Sequence, residues 1–190
     1  MVNAGIDNIS VIVRKNYHSL MDHLGSGREW DLTREKRRTE HRFPPFAEKT
    51  VKVYNGRVEA LASILDFLKD QKEKYVIMSE ANLAANFDFK AMLNAHIESG
   101  ADVTLAYAQE EIPEGLIKPF DVNKDLYYTL DIEDGRVREI QINPEEPGIQ
   151  NLSLNIYIIE RELLISQISA AFVRGYVYFE RDILAPSWIS

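Results

Sequence analysis

Apolar positions along this chain follow two rhythms: short unbroken runs, and stripes spaced three and four apart. The runs at 9–13 (ISVIV), 74–78 (KYVIM) and 102–108 (DVTLAYA) are β-branched or aromatic and bounded by polar residues, so each predicts a strand. Apolar side chains at nearly every position suit strands covered on both faces. Between the runs lie helical stripes. Over 57–69, Val58, Leu61, Leu65 and Leu68 share one face. Over 88–99, Phe89, Met92, Leu93 and Ile97 do the same, and Gly100 is placed to end that helix in a left-handed turn. A further helix is predicted over 161–172, ending near Gly175.

The second half changes style. Strands are predicted over 125–131, 137–142 and 151–159, with Asp134-Gly135 as a hairpin turn between the first two. A βαβα first half passing into a hairpin and another strand predicts a layered α/β domain with a mixed sheet. Residues 25–50 are polar, charged and proline-containing, and predict a long surface loop or lid; 113–123 predict another loop. The 9–13 run is too apolar for an exposed edge and has no strand before it, which predicts a chain that starts inside a larger domain, with Met1 an internal position.

Charge and composition narrow the function classes. The net charge of −8 disfavours nucleic acid and anionic membrane as partners. The chain has no cysteine, which removes disulfides, thiolate metal sites and cysteine nucleophiles and favours a reducing, cytoplasmic setting. No apolar run reaches the roughly 18 residues of a membrane-spanning helix. The phosphate-cradling glycine loop of nucleotide-binding α/β domains is absent, as are zinc-protease and hydrolase motifs. His18, His23, His41 and His96 have no ligand spacing and read as structural residues.

Candidate chemistry concentrates in a few places. Ligands of open α/β sheets bind beyond the carboxyl ends of strands, which draws attention to Ser79-Glu80-Ala81-Asn82. Glu80 there is either a solvated carboxylate or a metal ligand. Asp182 is either an acid at a helix start or a second metal carboxylate; metal-assisted phosphoryl chemistry needs at least two convergent acids. The basic segment 34–42 and Arg57 are the cations available to a sugar phosphate or nucleotide; the other reading of the segment is a solvated loop.

Tyr17-His18-Ser19-Leu20-Met21-Asp22-His23-Leu24-Gly25-Ser26-Gly27, followed by Trp30-Asp31-Leu32, resembles the bacterial glucose-1-phosphate adenylyltransferases, and among them the regulatory D-type subunit of glycogen biosynthesis. Met1–Ile6, Glu98–Thr104 and Phe179-Glu180-Arg181-Asp182-Ile183-Leu184 extend the resemblance over nearly the whole chain. It implies a Rossmann-like nucleotidyltransferase domain of three layers with a mixed, mainly parallel sheet. It also implies that 1–190 is a partial domain, lacking the family's N-terminal strand with its triphosphate loop and the C-terminal β-helix.

The resemblance also marks departures. Catalytic members carry Ser-Gly-Asp-His, whose Asp holds Mg2+; here Ala81 or Asn82 takes that place. Gly56-Arg57-Val58-Glu59-Ala60 replaces Gly-Thr-Ala-Asp-Ala, and Ile142-Asn143-Pro144 replaces Glu-Lys-Pro, so Asn143 stands for a phosphate-binding lysine. Ser153-Leu154-Asn155-Ile156-Tyr157 replaces Ser-Met-Gly-Ile-Tyr. The substrate-side positions carried over are Gly56, Glu59, Ser153, Asn155 and Tyr157, with Glu80 and Asp182 as the metal candidates. Adenylyl transfer from ATP to glucose 1-phosphate is positioning plus charge stabilisation, so losing a metal carboxylate and a lysine predicts little activity and no productive Mg2+. The expectation is a weakly catalytic or non-catalytic regulatory subunit that pairs with a catalytic subunit in a hetero-oligomer, the 190-residue piece being inactive alone. The alternatives are a working enzyme using Glu80 and Asp182, and a sugar-phosphate-binding interaction module without chemistry.

Overall fold

The computed structural model describes residues 1, 4–6, 8–12, 54–80, 83–84, 86–112, 127–144 and 147–185. The loops expected at 25–50 and 113–123, the basic segment 34–42, His18, His23, His41, Ala81 and Asn82 lie outside these. Along the chain, α1 (Arg57–Ala62) and α2 (Leu65–Asp70) precede β1 (Tyr75–Met78), and α3 (Phe89–Ser99) leads into β2 (Val103–Ile112). The hairpin β3 (Tyr128–Glu133) and β4 (Arg136–Ile142) follows, then β5 (Gly148–Glu160), α4 (Arg161–Val173) and a π-helical turn (Glu180–Leu184).

β5 organises the sheet. One edge pairs with β2 along its whole length; the other meets β3 at Leu152 and β1 from Tyr157 to Glu160. Every described ladder is antiparallel, which corrects the mixed, mainly parallel sheet that the family resemblance implies. The reason is positional. β1 and β2 do run in the same direction, but β5 lies between them and runs the other way, so neither finds a parallel neighbour. The three layers and the α/β class are as expected.

Side-chain alternation on β5 builds both cores. Tyr157 and Ile159 point to one face, where they meet Leu61, Ile64, Leu68, Leu164, Ile168, Phe179 and Leu184. Ile156 and Ile158 point to the other, against Met92 of α3. Complete burial of each such side chain stabilises the fold by roughly 1.5–3 kcal/mol.

The local predictions hold with informative exceptions. Asp134 and Gly135 both take positive φ, as the two-residue hairpin turn requires. Asp88 caps α3 by accepting from the Lys90 and Ala91 amides, and Gly100 ends it in the left-handed conformation. The single helix expected over 57–69 is broken at Ser63–Ile64. The Ser63 hydroxyl donates to the Ala60 carbonyl and the Ile64 amide bonds Leu61, a tighter three-residue closure. The stripe expected on α3 is also corrected: Ile97 is 52% exposed and His96 is buried in its place. His96 Nδ1 lies 2.8 Å from Thr104 Oγ1 and its ring meets Tyr75 edge-on, so the helix is turned to satisfy an imidazole. Burial pushes the pKa of His96 down.

The strand expected over 9–13 is not formed across its described residues, 9–12. Ile12 still packs against the core, so its hydrophobicity is used without a ladder. A strand is a pairing rather than a local conformation, and no described strand offers this run its edge.

Candidate functional site

Just beyond the carboxyl end of β1, where Glu80 follows the strand, the structure places an ionic cluster. Its centre is Arg57, the first residue of α1. The entry into α1 is set by close contact. A Cβ on Gly56 would lie 2.3 Å from the Val177 carbonyl oxygen, and the Val58 amide donates to that same oxygen at 3.2 Å. Gly56 is extended, so the requirement for glycine is steric. Glu59 reaches back to accept from the Asn55 amide at 2.8 Å, a cap for the same helix start.

From this anchored start, Arg57 sends one arm of its guanidinium to Glu80 and the other to Glu180. Arg57 is 22% exposed at its side chain, Glu80 37% and Glu180 3%. Burial works to lower the Arg57 pKa, but Glu180, Tyr157 and Glu80 outweigh it and hold the pKa above its ordinary value. The guanidinium also lies over the Tyr157 ring, 5.6 Å from its centroid.

Tyr157 completes the buried side. Its hydroxyl is 3.1 Å from both Glu180 Oε1 and Asn155 Oδ1, and one proton serves only one of them at a time. Asn155 takes positive φ in a bulge: the register with β2 shifts between Ala106 and Tyr107, leaving Leu154 and Asn155 unmatched. The Asn155 amide donates to the Ser153 hydroxyl at 3.2 Å. The bulge aims Asn155 at the phenol it contacts. Burial, then the Glu180 charge, pushes the phenols of Tyr157 and Tyr128 up, so both remain protonated donors.

Asp182 lies in the same π-helical turn but looks elsewhere. Its Oδ2 accepts from the Val177 and Tyr178 amides, each at 2.9 Å, and Arg181 Nε donates to Oδ1 at 2.6 Å. Burial pushes its pKa up, but the Arg181 guanidinium and the two amides prevail and hold it below the usual carboxylate range. A depressed pKa contributes stability above the unfolded value, near 3.9, that disappears as pH falls through the lower folded value. Asp182→Ala is therefore expected to lose about 2 kcal/mol at pH 7, and the gap to the parent should close in urea titrations taken progressively below about pH 4. A pH-independent gap would contradict the assignment.

Asn143 stands apart from the cluster, at the open end of the β3–β4 hairpin. At positive φ, it exchanges two bonds of 3.0 Å with the Tyr127 backbone: its amide donates to the Tyr127 carbonyl, and Oδ1 accepts from the Tyr127 amide.

Thus Arg57 and Glu80 are brought together with Tyr157 and Asn155, while Glu59, Asn143 and Asp182 are each engaged locally. The residue that sequence reading missed is Glu180. It lies in the Phe179-Glu180-Arg181-Asp182 stretch, where the acid at a helix start is Asp182 and nothing nearby in sequence marks Glu180 as a partner of Arg57. One available signal was an acid held between apolar Phe179 and Ile183-Leu184. Among the described residues no group of three or more His, Asp or Glu could hold a metal ion. None of the described helices is long and apolar enough to cross a membrane.

Comparison with known proteins assigns the fold. The profile of the Nucleotidyl transferase family matches residues 1–183. The glycogen biosynthesis protein GlgD of Geobacillus stearothermophilus is 40% identical over 109 residues, covering 55% of this chain and 30% of that protein. A glucose-1-phosphate adenylyltransferase of Thiobacillus denitrificans is 30% identical, covering 100% of this chain and 43% of that protein. One from Thermomicrobium roseum is 27% identical, covering 96% and 42%. This chain thus spans less than half the length of these relatives. The crystal structure of HddC from Yersinia pseudotuberculosis superposes with a TM-score of 0.61 at 13% identity, over 96% of this chain and 67% of that one. On the family match and this shared fold, the chain belongs to the nucleotidyl transferase family.

Proposed function

We propose that this chain is part of a glycogen-biosynthesis subunit of the GlgD kind, cytoplasmic, which pairs with a catalytic glucose-1-phosphate adenylyltransferase subunit and contributes little or no nucleotidyl transfer of its own. The observation that carries the reading is the engagement of Arg57 by Glu80 and Glu180. A cation available to sugar phosphate and a carboxylate available to magnesium are each spent on the other. Similarity to proteins named GlgD supports the same reading. Charge stabilisation is the dominant contribution to phosphoryl transfer, and removing one such group commonly costs about 10²-fold in rate.

The test uses the full-length protein that contains this chain, assayed with ATP, glucose 1-phosphate and Mg2+. Alone, it is expected to turn over at least about 10²-fold more slowly than a catalytic relative. Mixed with the catalytic subunit, it should co-elute and alter that subunit's rate. Turnover by the chain alone at a relative's rate, abolished by Glu80→Ala, would overturn the reading.

A further inference from the structure

The carboxylates near the carboxyl end of β1 do not fit the family's magnesium. That ion demands an octahedron of oxygens and is usually held by one or two carboxylates with free lone pairs. Here Glu180 Oε1 accepts from Arg57 and lies 3.1 Å from the Tyr157 hydroxyl, while Glu80 Oε1 accepts from the other arm of the guanidinium. Asp182 is fully engaged by two amides and Arg181.

We infer that the Arg57 guanidinium is the resident cation of the Glu80–Glu180 pair and excludes a divalent ion from it. Glu180 is 2% exposed, and a carboxylate so deeply buried requires a cation beside it to stay charged. A guanidinium is always protonated and presents a rigid fork that spans two carboxylates, which suits it to this place. It also cannot leave easily: Arg57 opens α1, whose entry is fixed by the close contact of Gly56 with Val177. The buried site therefore keeps charge balance without a metal. The meaning of this for function rests on the non-catalytic reading above, which it deepens by naming the group that takes the metal's place.

Terbium, an oxygen-seeking stand-in for divalent ions, tests this through luminescence sensitised by nearby phenols such as those of Tyr157 and Tyr128. The full chain is expected to show weak emission. Arg57→Met should bind terbium at least about tenfold more tightly, with bright emission, because the two carboxylates are released together. Adding Glu180→Gln to Arg57→Met should abolish the gain, and Arg57→Lys should stay dark like the parent. Equal binding by the parent and Arg57→Met, or emission indifferent to Glu180→Gln, overturns the inference. If Arg57→Met fails to fold alone, saturating calcium should restore its far-ultraviolet dichroism, since the ion replaces the missing charge; failure to do so also overturns it. An inactive chain that binds terbium through Glu80 and Glu180 without any change to Arg57 would sink this inference and leave the non-catalytic reading standing. A chain that turns over yet stays dark would do the reverse.

Discussion

Glu180→Ala should unfold in urea with a free energy about 3 kcal/mol below the parent. The substitution leaves the Arg57 guanidinium short of a partner and leaves the buried Tyr157 hydroxyl with Asn155 Oδ1 as its acceptor. Losing one member of a buried ion pair commonly costs roughly 3–5 kcal/mol; the lower end applies here because Arg57 keeps Glu80 and is 22% exposed, so water relieves part of the loss. The asymmetry between the two acids sharpens the expectation. Glu80→Ala removes a carboxylate that is 37% exposed, and its cost should stay below about 1 kcal/mol. Glu180→Gln, which keeps an acceptor for the phenol, should fall between. Equal costs for Glu80→Ala and Glu180→Ala would contradict the burial order on which the site is built.

Phe179→Ala is expected to cost about 3–5 kcal/mol, measured by the same urea titration. Phe179 is fully buried in the core shared by β5, α2 and α4, and its ring stands edge-on to Tyr157 at a centroid distance of 5.7 Å. Alanine opens a cavity there and also removes the stack that orients Tyr157 beside Glu180. Phe179→Leu should recover most of the loss, because it restores volume without the ring. Phe172 provides the contrast: it is 53% exposed near the end of α4, and Phe172→Ala should change stability by no more than about 0.5 kcal/mol. A loss under about 1 kcal/mol for Phe179→Ala would mean that the π-helical turn does not pack as described.

Most secondary elements were legible because their causes are local. Asp88 and Gly100 cap α3, Asp134-Gly135 turns the hairpin, and the β-branched run at β1 favours extended backbone; each depends on residues a few positions away. The misread face of α3 has the opposite cause. Ile97 matched the helical stripe as well as any residue, but Thr104 and Tyr75 give His96 partners that only the folded chain brings within reach, and the helix face turns to meet them. The break at Ser63 is subtler, since a serine hydroxyl returning to a carbonyl three residues back competes with the helix it sits in.

Chemistry written along the chain thus settled most element types, the hairpin turn, most of the apolar faces and the family resemblance, because periodicity, caps and motif residues act over a turn or two. Strand direction and the ionic cluster waited for folding: β5 had to insert between β1 and β2 before the sheet's polarity existed. Arg57 meets acids 23 and 123 positions away, pairings no short-range pattern encodes. Whether an acid faces solvent, an amide or a guanidinium depends on which way a packed backbone turns it, as the π-helical turn does in directing Glu180 inward to Arg57 and Asp182 back onto the Val177 and Tyr178 amides that precede it.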